Sequence, residues 1–192
     1  VRNDSHDYLG NILASGHGSV LEHANYSFIF HNISRVLTHE LVRHRAGVAI
    51  SQESMRFVRL DDIPFWFPEW CREDAELMKR NLAILDMLEA HQIWMADRFG
   101  LDDAGVPFSE KKHKTSFMRR FAPDGVATGI LTTLNVRTLR HVIYMRTALG
   151  AEEEIRLVLN LIAEQLTAFE PMLPGDFTRN AGGEWVPANA KI

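Results

Sequence analysis

The chain has 192 residues, 46% of them apolar, with a formal net charge of −4 and a pI near 6.1. That length and apolar content suit one globular domain with a sizeable core, and the acidic balance excludes a bulk nucleic-acid binder, whose footprint would be broadly basic. A single cysteine, Cys71, excludes an internal disulfide, and with no apolar run of about 18 residues and no signal-like stretch the chain reads as soluble and cytoplasmic, without a membrane partner.

In chain order, Asp4 to Leu13 predicts a short helix capped by Asp4 or Ser5 and ending at Gly16. "GHGSVLEH" is turn-rich. "ANYSFIFHN" alternates Ala24, Tyr26, Phe28 and Phe30 against Asn25, Ser27, Ile29 and His31, the period of a strand with one buried face. Ser34 caps a predicted helix from Arg35 to about Arg45. "ISQESMRFVRL" returns to extended structure, and "DDIPFWFPEW" makes an ordered loop. Glu69 to Phe99 predicts one long amphipathic helix, broken at Gly100–Pro107, and "SEKKHKTSFMRR" predicts another. "DGVATGILTTLN" is strand-like, and Asn135 caps a helix over 136–148. Ala151 to Glu170 is a last helix with the stripe Ile155, Val158, Leu159, Ile162 and Leu166. Residues 175–192 read as a loose tail. The expected fold is α/β, helix-rich with a modest sheet, in a single domain over 1–192.

The positive charge is local. Residues 43–59 carry Arg43, Arg45, Arg56 and Arg59 against Glu53, and residues 119–146 carry Arg119, Arg120, Arg137, Arg140 and Arg146 against Asp124. Two basic patches in an acidic chain point to a defined pocket for phosphates. Phase sharpens this. Leu37 and Leu41 set an apolar stripe that continues onto His44 and Arg45, and Leu139, Val142 and Ile143 set one that continues onto Arg146. Inward guanidiniums are costly unless paired. They are met either by a bound anion or by ordinary salt bridges to Glu40, Glu53 or Glu152–Glu154.

Other chemistry is excluded by spacing. "HELVRH" lacks the two histidines four apart that a helical zinc motif needs: His39 and His44 are five apart and fall on different faces. No metal site is expected. Cys71 has no basic or histidine motif beside it and reads as structural. Neither G-x-G-x-x-G nor G-x-x-x-x-G-K-[ST] occurs, so phosphates would be held by arginines, by Ser19, Ser51 and Ser54, and by helix N-termini such as that behind Asn135.

"GHGSVLEHANYSF", "SRVLTHELVRHR", "SQESMRF" and "NVRTLRHVIYMR", followed by "AEEEIR", together resemble the flavin-dependent thymidylate synthases. The resemblance runs in order from His17 to Arg156. It implies an α+β fold with a mainly antiparallel sheet, like that of thymidylate synthase-complementing proteins, and a homotetramer with shared active sites. It further implies FAD as cofactor, with NADPH and 5,10-methylenetetrahydrofolate as co-substrates in the methylation of dUMP to dTMP, without a cysteine nucleophile. By position, Ser19, Arg43, His44, Arg45, Gln52, Asn135, Val136, Arg137 and His141 are expected around the flavin cofactor. Glu40, Leu41, Val42, Arg43, Gln52, Glu53, Ser54, Met55, Arg56, Arg119 and Arg146 are expected around dUMP. Arg146 corresponds to the arginine that polarises the uracil and favours its N3 anion, and His17 to a pocket histidine near flavin and folate. The sequence departs from the family pattern in three places. Eight residues, Ala46 to Glu53, separate Arg-His-Arg from the serine where seven are usual; Phe57 stands where tyrosine is usual, and Gly150 where many members have histidine. A relative that transfers a different one-carbon group, or one that binds nucleotide without turnover, would carry the same residues.

Overall fold

Helix punctuation sets the architecture in a computed structural model that describes residues 4–170 and 175–191. Helix α1 spans Ser5–Ser15 and stops at Gly16, whose φ of +74° is left-handed, a conformation glycine adopts freely. A 3-10 turn, Gly18–Glu22, leads into strand β1, Asn25–Ser34. The strand alternates as expected until Asn32, whose φ of +56° interrupts the phase, so that Ile33 and Ser34 are both buried.

Helix α2 covers only Arg35–Leu41, shorter than the sequence pattern suggests. Beyond it the backbone is recruited elsewhere. Ala46 O accepts from Thr138 Oγ1 at 2.8 Å and Gly47 O accepts from Asn135 N–H at 3.0 Å. Strand β2, Val48–Gln52, comes next; the extended run stops there, in a turn where Phe57 N–H donates to Ser54 O. The long helix is divided in two, α3 at Glu69–Glu73 and α4 at Ala75–Arg98. Asp74 makes the division: its backbone is extended and its carboxylate caps α4 by accepting from Leu77 N–H at 3.0 Å.

Helix α5 (Phe108–Met118), a 3-10 turn (Arg119–Phe121), strand β3 (Ala127–Asn135), helix α6 (Val136–Thr147) and helix α7 (Glu153–Phe169) complete the regular core. The sheet is small and antiparallel, with strand order β1-β3-β2. The expectation of a loose tail is corrected. Within the described residues, β4 (Phe177–Arg179) and β5 (Trp185–Pro187) pair antiparallel, Thr178 opposite Val186. The buried Trp185 anchors the hairpin: its backbone N–H donates to Thr147 Oγ1 at 3.0 Å and its indole to Asn160 Oδ1 at 3.1 Å. A buried indole holds its place when its N–H finds a partner.

The chain divides into two compact units. The first draws on Val1–Ile29, Leu37–Ser51 and Leu131–Ile192, the second on Phe30–Val36 and Gln52–Ile130. In the first, α6 packs on α7; Leu139, Val142 and Ile143 from one and Ile155, Leu159 and Leu166 from the other are buried. A smaller cluster there joins Ile12, Leu13, Leu21 and Val136. In the second, Leu60, Ile63, Leu85 and Val126 form one cluster and Met95, Leu101 and Met118 another. Among the described residues, no helix is long and apolar enough to cross a membrane.

Candidate functional site

The N-terminus of α6 organises a cavity in the first unit. Asn135 caps the helix, its Oδ1 accepting from Thr138 N–H at 2.8 Å, while the same residue's backbone and the Thr138 hydroxyl hold Ala46 and Gly47. Gly47 is obligatory here: its φ is +69°, and a Cβ would overlap the Asn135 amide and lie 2.6 Å from Thr138 Oγ1. The loop 43–47 is thereby laid along α6. Together they enclose a cavity of about 470 Å³ lined by Arg43, His44, Arg45, Asn135, Arg137 and His141, with Glu22, Ala46, Gly47, Thr138, Ala190 and Lys191 completing the wall.

Three cations face this cavity without a close acidic partner among the described residues. Arg45 and Lys191 make no ion pair, and Arg43, with a side chain 70% exposed, reaches Glu40 only at 3.8 Å. Arg137 is neutralised by Glu22 at 2.6 Å. A cationic concavity at a helix N-terminus suits a phosphorylated ligand.

Beneath His44 lies a second layer. Arg146, its side chain 16% exposed, donates from Nε to His44 Nε2 at 2.8 Å, from Nη1 to Glu40 Oε2 at 2.5 Å and from Nη2 to Glu40 O at 2.9 Å. Of the two fates open to an inward arginine, Arg146 takes the salt bridge. Three of its five N–H groups are engaged and two remain. The bond from Arg146 requires a lone pair on His44 Nε2, so the His44 proton sits on Nδ1. His141 meets the His44 ring edge-on, with centroids 5.9 Å apart.

Burial, reinforced by the Arg146 cation and then by His141, lowers the pKa of His44 from 6.5 to about 4. Between those values the unfolded chain binds a proton that the folded chain refuses, so stability falls as pH drops from 6.5 towards 4 and is insensitive to this group above that window. The expected NMR titration of His44 has its midpoint near 4, well below that of an ordinary histidine. A midpoint near 6.5 would mean that His44 is not buried against Arg146.

Other expected residues are placed elsewhere. His17 and Ser19 lie at the exposed 3-10 turn before β1, outside the cavity lining. Val136 is 1% exposed within the apolar cluster, its N–H bonded to Ala24 O at 2.9 Å. Leu41 is in the core and Val42 at the surface. Gln52, Glu53, Ser54, Met55, Arg56 and Arg119 belong to the second unit. There Met55 and Arg119 line a cavity of about 370 Å³ with Arg35, Arg120, Ala122, Pro123 and Asp124. Ser54 Oγ accepts from Arg56 N–H at 3.4 Å, and Arg56 O accepts from Thr115 Oγ1 at 3.0 Å. The Arg56 Nε is buried without a hydrogen-bond partner among the described residues, which is costly unless something further satisfies it.

Glu22, Thr138 and Lys191 are not singled out by sequence. Thr138 carries a signal, since it stands three residues after a capping Asn, but its hydroxyl serves Ala46 rather than the helix. Lys191 is hidden by the reading of 175–192 as loose.

Fold and cavities define a helix-rich α+β protein with arginine-lined cavities and no glycine-rich phosphate loop. The sequence model of the thymidylate synthase complementing proteins matches residues 1–172. The flavin-dependent thymidylate synthase of Mycobacteroides abscessus is 36% identical over 172 residues, 88% of this chain and 68% of that one. That of Pyrococcus horikoshii is 32% identical over 176 residues, 90% of this chain and 67% of that one. A crystal structure of thymidylate synthase X from Helicobacter pylori, with FAD and dUMP, aligns with a TM-score of 0.62 at 22% identity, covering 90% of this chain and 86% of that chain, a likeness of fold. The chain belongs to the thymidylate synthase complementing protein family, whose curated relatives are flavin-dependent thymidylate synthases.

Proposed function

We propose that this protein is an FAD-dependent methyltransferase that converts dUMP to dTMP, with 5,10-methylenetetrahydrofolate as carbon donor and NADPH as reductant, in the cytoplasm and as a homotetramer. The observation that carries the reading is the convergence of six residues expected around the cofactor, Arg43, His44, Arg45, Asn135, Arg137 and His141, on one cavity. The donor set fits FAD: unpaired cations suit a pyrophosphate, and imidazole edges with a side-chain amide suit polar ring atoms. Turning a methylene into a methyl group needs two electrons, and FAD when bound relays them from NADPH.

The chain's own residues bind, orient and hold charge. Arg43 and Arg45 hold phosphate oxygens of the cofactor at the loop that α6 positions. Neutral His44 presents its Nδ1–H as a donor, kept in that tautomer by Arg146. In the second unit, the cavity that Arg119 and Arg120 line is a further cationic concavity suited to a phosphate group. Arg146, fixed by Glu40 and His44, offers its two free N–H groups to the uracil. A preorganised, half-desolvated cation beside a developing anion lowers the barrier electrostatically.

The purified protein is expected to be yellow and to form dTMP only when dUMP, methylenetetrahydrofolate and NADPH are all supplied. Failure to take up FAD would end this reading. A product of different mass would redirect it to another one-carbon transfer.

A further inference from the structure

The segment 175–191 lies outside the residues that the family model matches, yet Ala190 and Lys191 line the cofactor cavity. The segment is tied to α6 at two points. At the first, Arg140, 2% exposed, pairs with Asp176 at 2.7 Å, and its guanidinium lies over the Phe177 ring at 4.7 Å. At the second, Arg137 Nη2 donates to Lys191 O at 3.3 Å. Arg137 and Arg140 are three apart on α6 and therefore share a face.

Asp176 also organises the far end of the segment. Its carbonyl accepts from Ala188 N–H at 3.0 Å and its Oδ2 from Asn189 N–H at 3.4 Å; Asn189 Oδ1 in turn accepts from Lys191 N–H at 3.1 Å. The Lys191 backbone is thus held from both sides. Its ammonium makes no ion pair among the described residues, and the nearby Glu22 is taken by Arg137. A lysine already held at its main chain, on a cavity that Arg43 and Arg45 also line, has only its side chain left to order on meeting a phosphate.

We propose that Lys191 holds a phosphate of the cofactor and that Asp176 is its positioning residue, so that 175–191 forms a clasp on the flavin cavity. The proposal rests on the FAD reading above. FAD affinity, followed by flavin fluorescence, tests it, with riboflavin as a phosphate-free probe. Lys191→Gln should raise the Kd for FAD about fivefold and leave that for riboflavin unchanged. Asp176→Asn should weaken FAD at least as much, and adding Lys191→Gln to it should cost nothing more, because the lysine is already misplaced. Should Asp176→Asn fail to fold, Asn189→Ala removes the acceptor of the Lys191 N–H and gives the same non-additive result. Unchanged FAD affinity in Lys191→Gln overturns the proposal, as does equal weakening of FAD and riboflavin. Additive losses in the double variant overturn the role of Asp176. Wild-type protein that binds no FAD removes the functional reading itself, which separates that failure from the others.

Discussion

Arg146→Lys is expected to cut turnover on dUMP by about a hundredfold or more, while FAD affinity falls by less than about threefold. The charge survives this change, but the fork does not. Arg146 donates at once to His44 Nε2, to the Glu40 carboxylate and to the Glu40 carbonyl, three acceptors whose directions match a planar guanidinium. An ammonium on a flexible stem satisfies the carboxylate and leaves His44 without its donor. The imidazole is then free to turn or change tautomer. On the proposed reading, the two aligned N–H groups that would serve the uracil become a point charge. Because Arg146 lies outside the cavity lining, the cofactor loses no direct contact. The expected signature is a fall in kcat with a much smaller change in KM for dUMP. Equal losses in turnover and FAD binding would reduce Arg146 to a scaffold cation.

Arg140→Ala should cost about 3–5 kcal/mol of unfolding free energy, because it leaves the Asp176 carboxylate buried without its counter-charge. Arg140 is buried in α6, and burial pushes its pKa down while Asp176 opposes the shift. The loss extends beyond the ion pair. The guanidinium plane also rests on Phe177, and Asp176 holds the Ala188 and Asn189 amides. Arg140→Met, which fills the space with an apolar chain, should be harmful for the same reason, since the carboxylate stays behind. Urea denaturation monitored by circular dichroism reads the effect. A loss under about 1 kcal/mol would show that Asp176 finds water or another donor as readily as it does Arg140.

Local rules account for much of what is legible in the sequence. Asn135 before an apolar-periodic run announces the start of α6, and the leucine and isoleucine spacing of α7 announces its buried face, because capping and periodicity depend on near neighbours in the chain. The Arg-His-Arg triplet announces a cationic loop for the same reason, whereas the α6 arginines, which read alike, are met by Glu22, Asp176 and Glu40. Even the choice open to Arg146 is legible, with Glu40 among its possible partners.

What local rules miss is decided by partners distant in sequence. The helix expected to run to Arg45 ends at Leu41, where the following carbonyls bond to Asn135 and Thr138, some ninety residues on. Asp74 carries helix-compatible neighbours on both sides, yet it serves as a cap and splits one helix into two. The segment 175–191 looks loose because Gly175, Asn180, Gly182, Gly183, Pro187 and Asn189 interrupt any period in it. Its order comes from Trp185 meeting Thr147 and Asn160, and Asp176 meeting Arg140. The order of residues alone settles where this acidic chain concentrates its arginines, in 43–59 and 119–146. Which of those cations stay unpaired is a question of distance, and only folding, by placing Glu22 beside Arg137 and Glu40 beside Arg146, answers it.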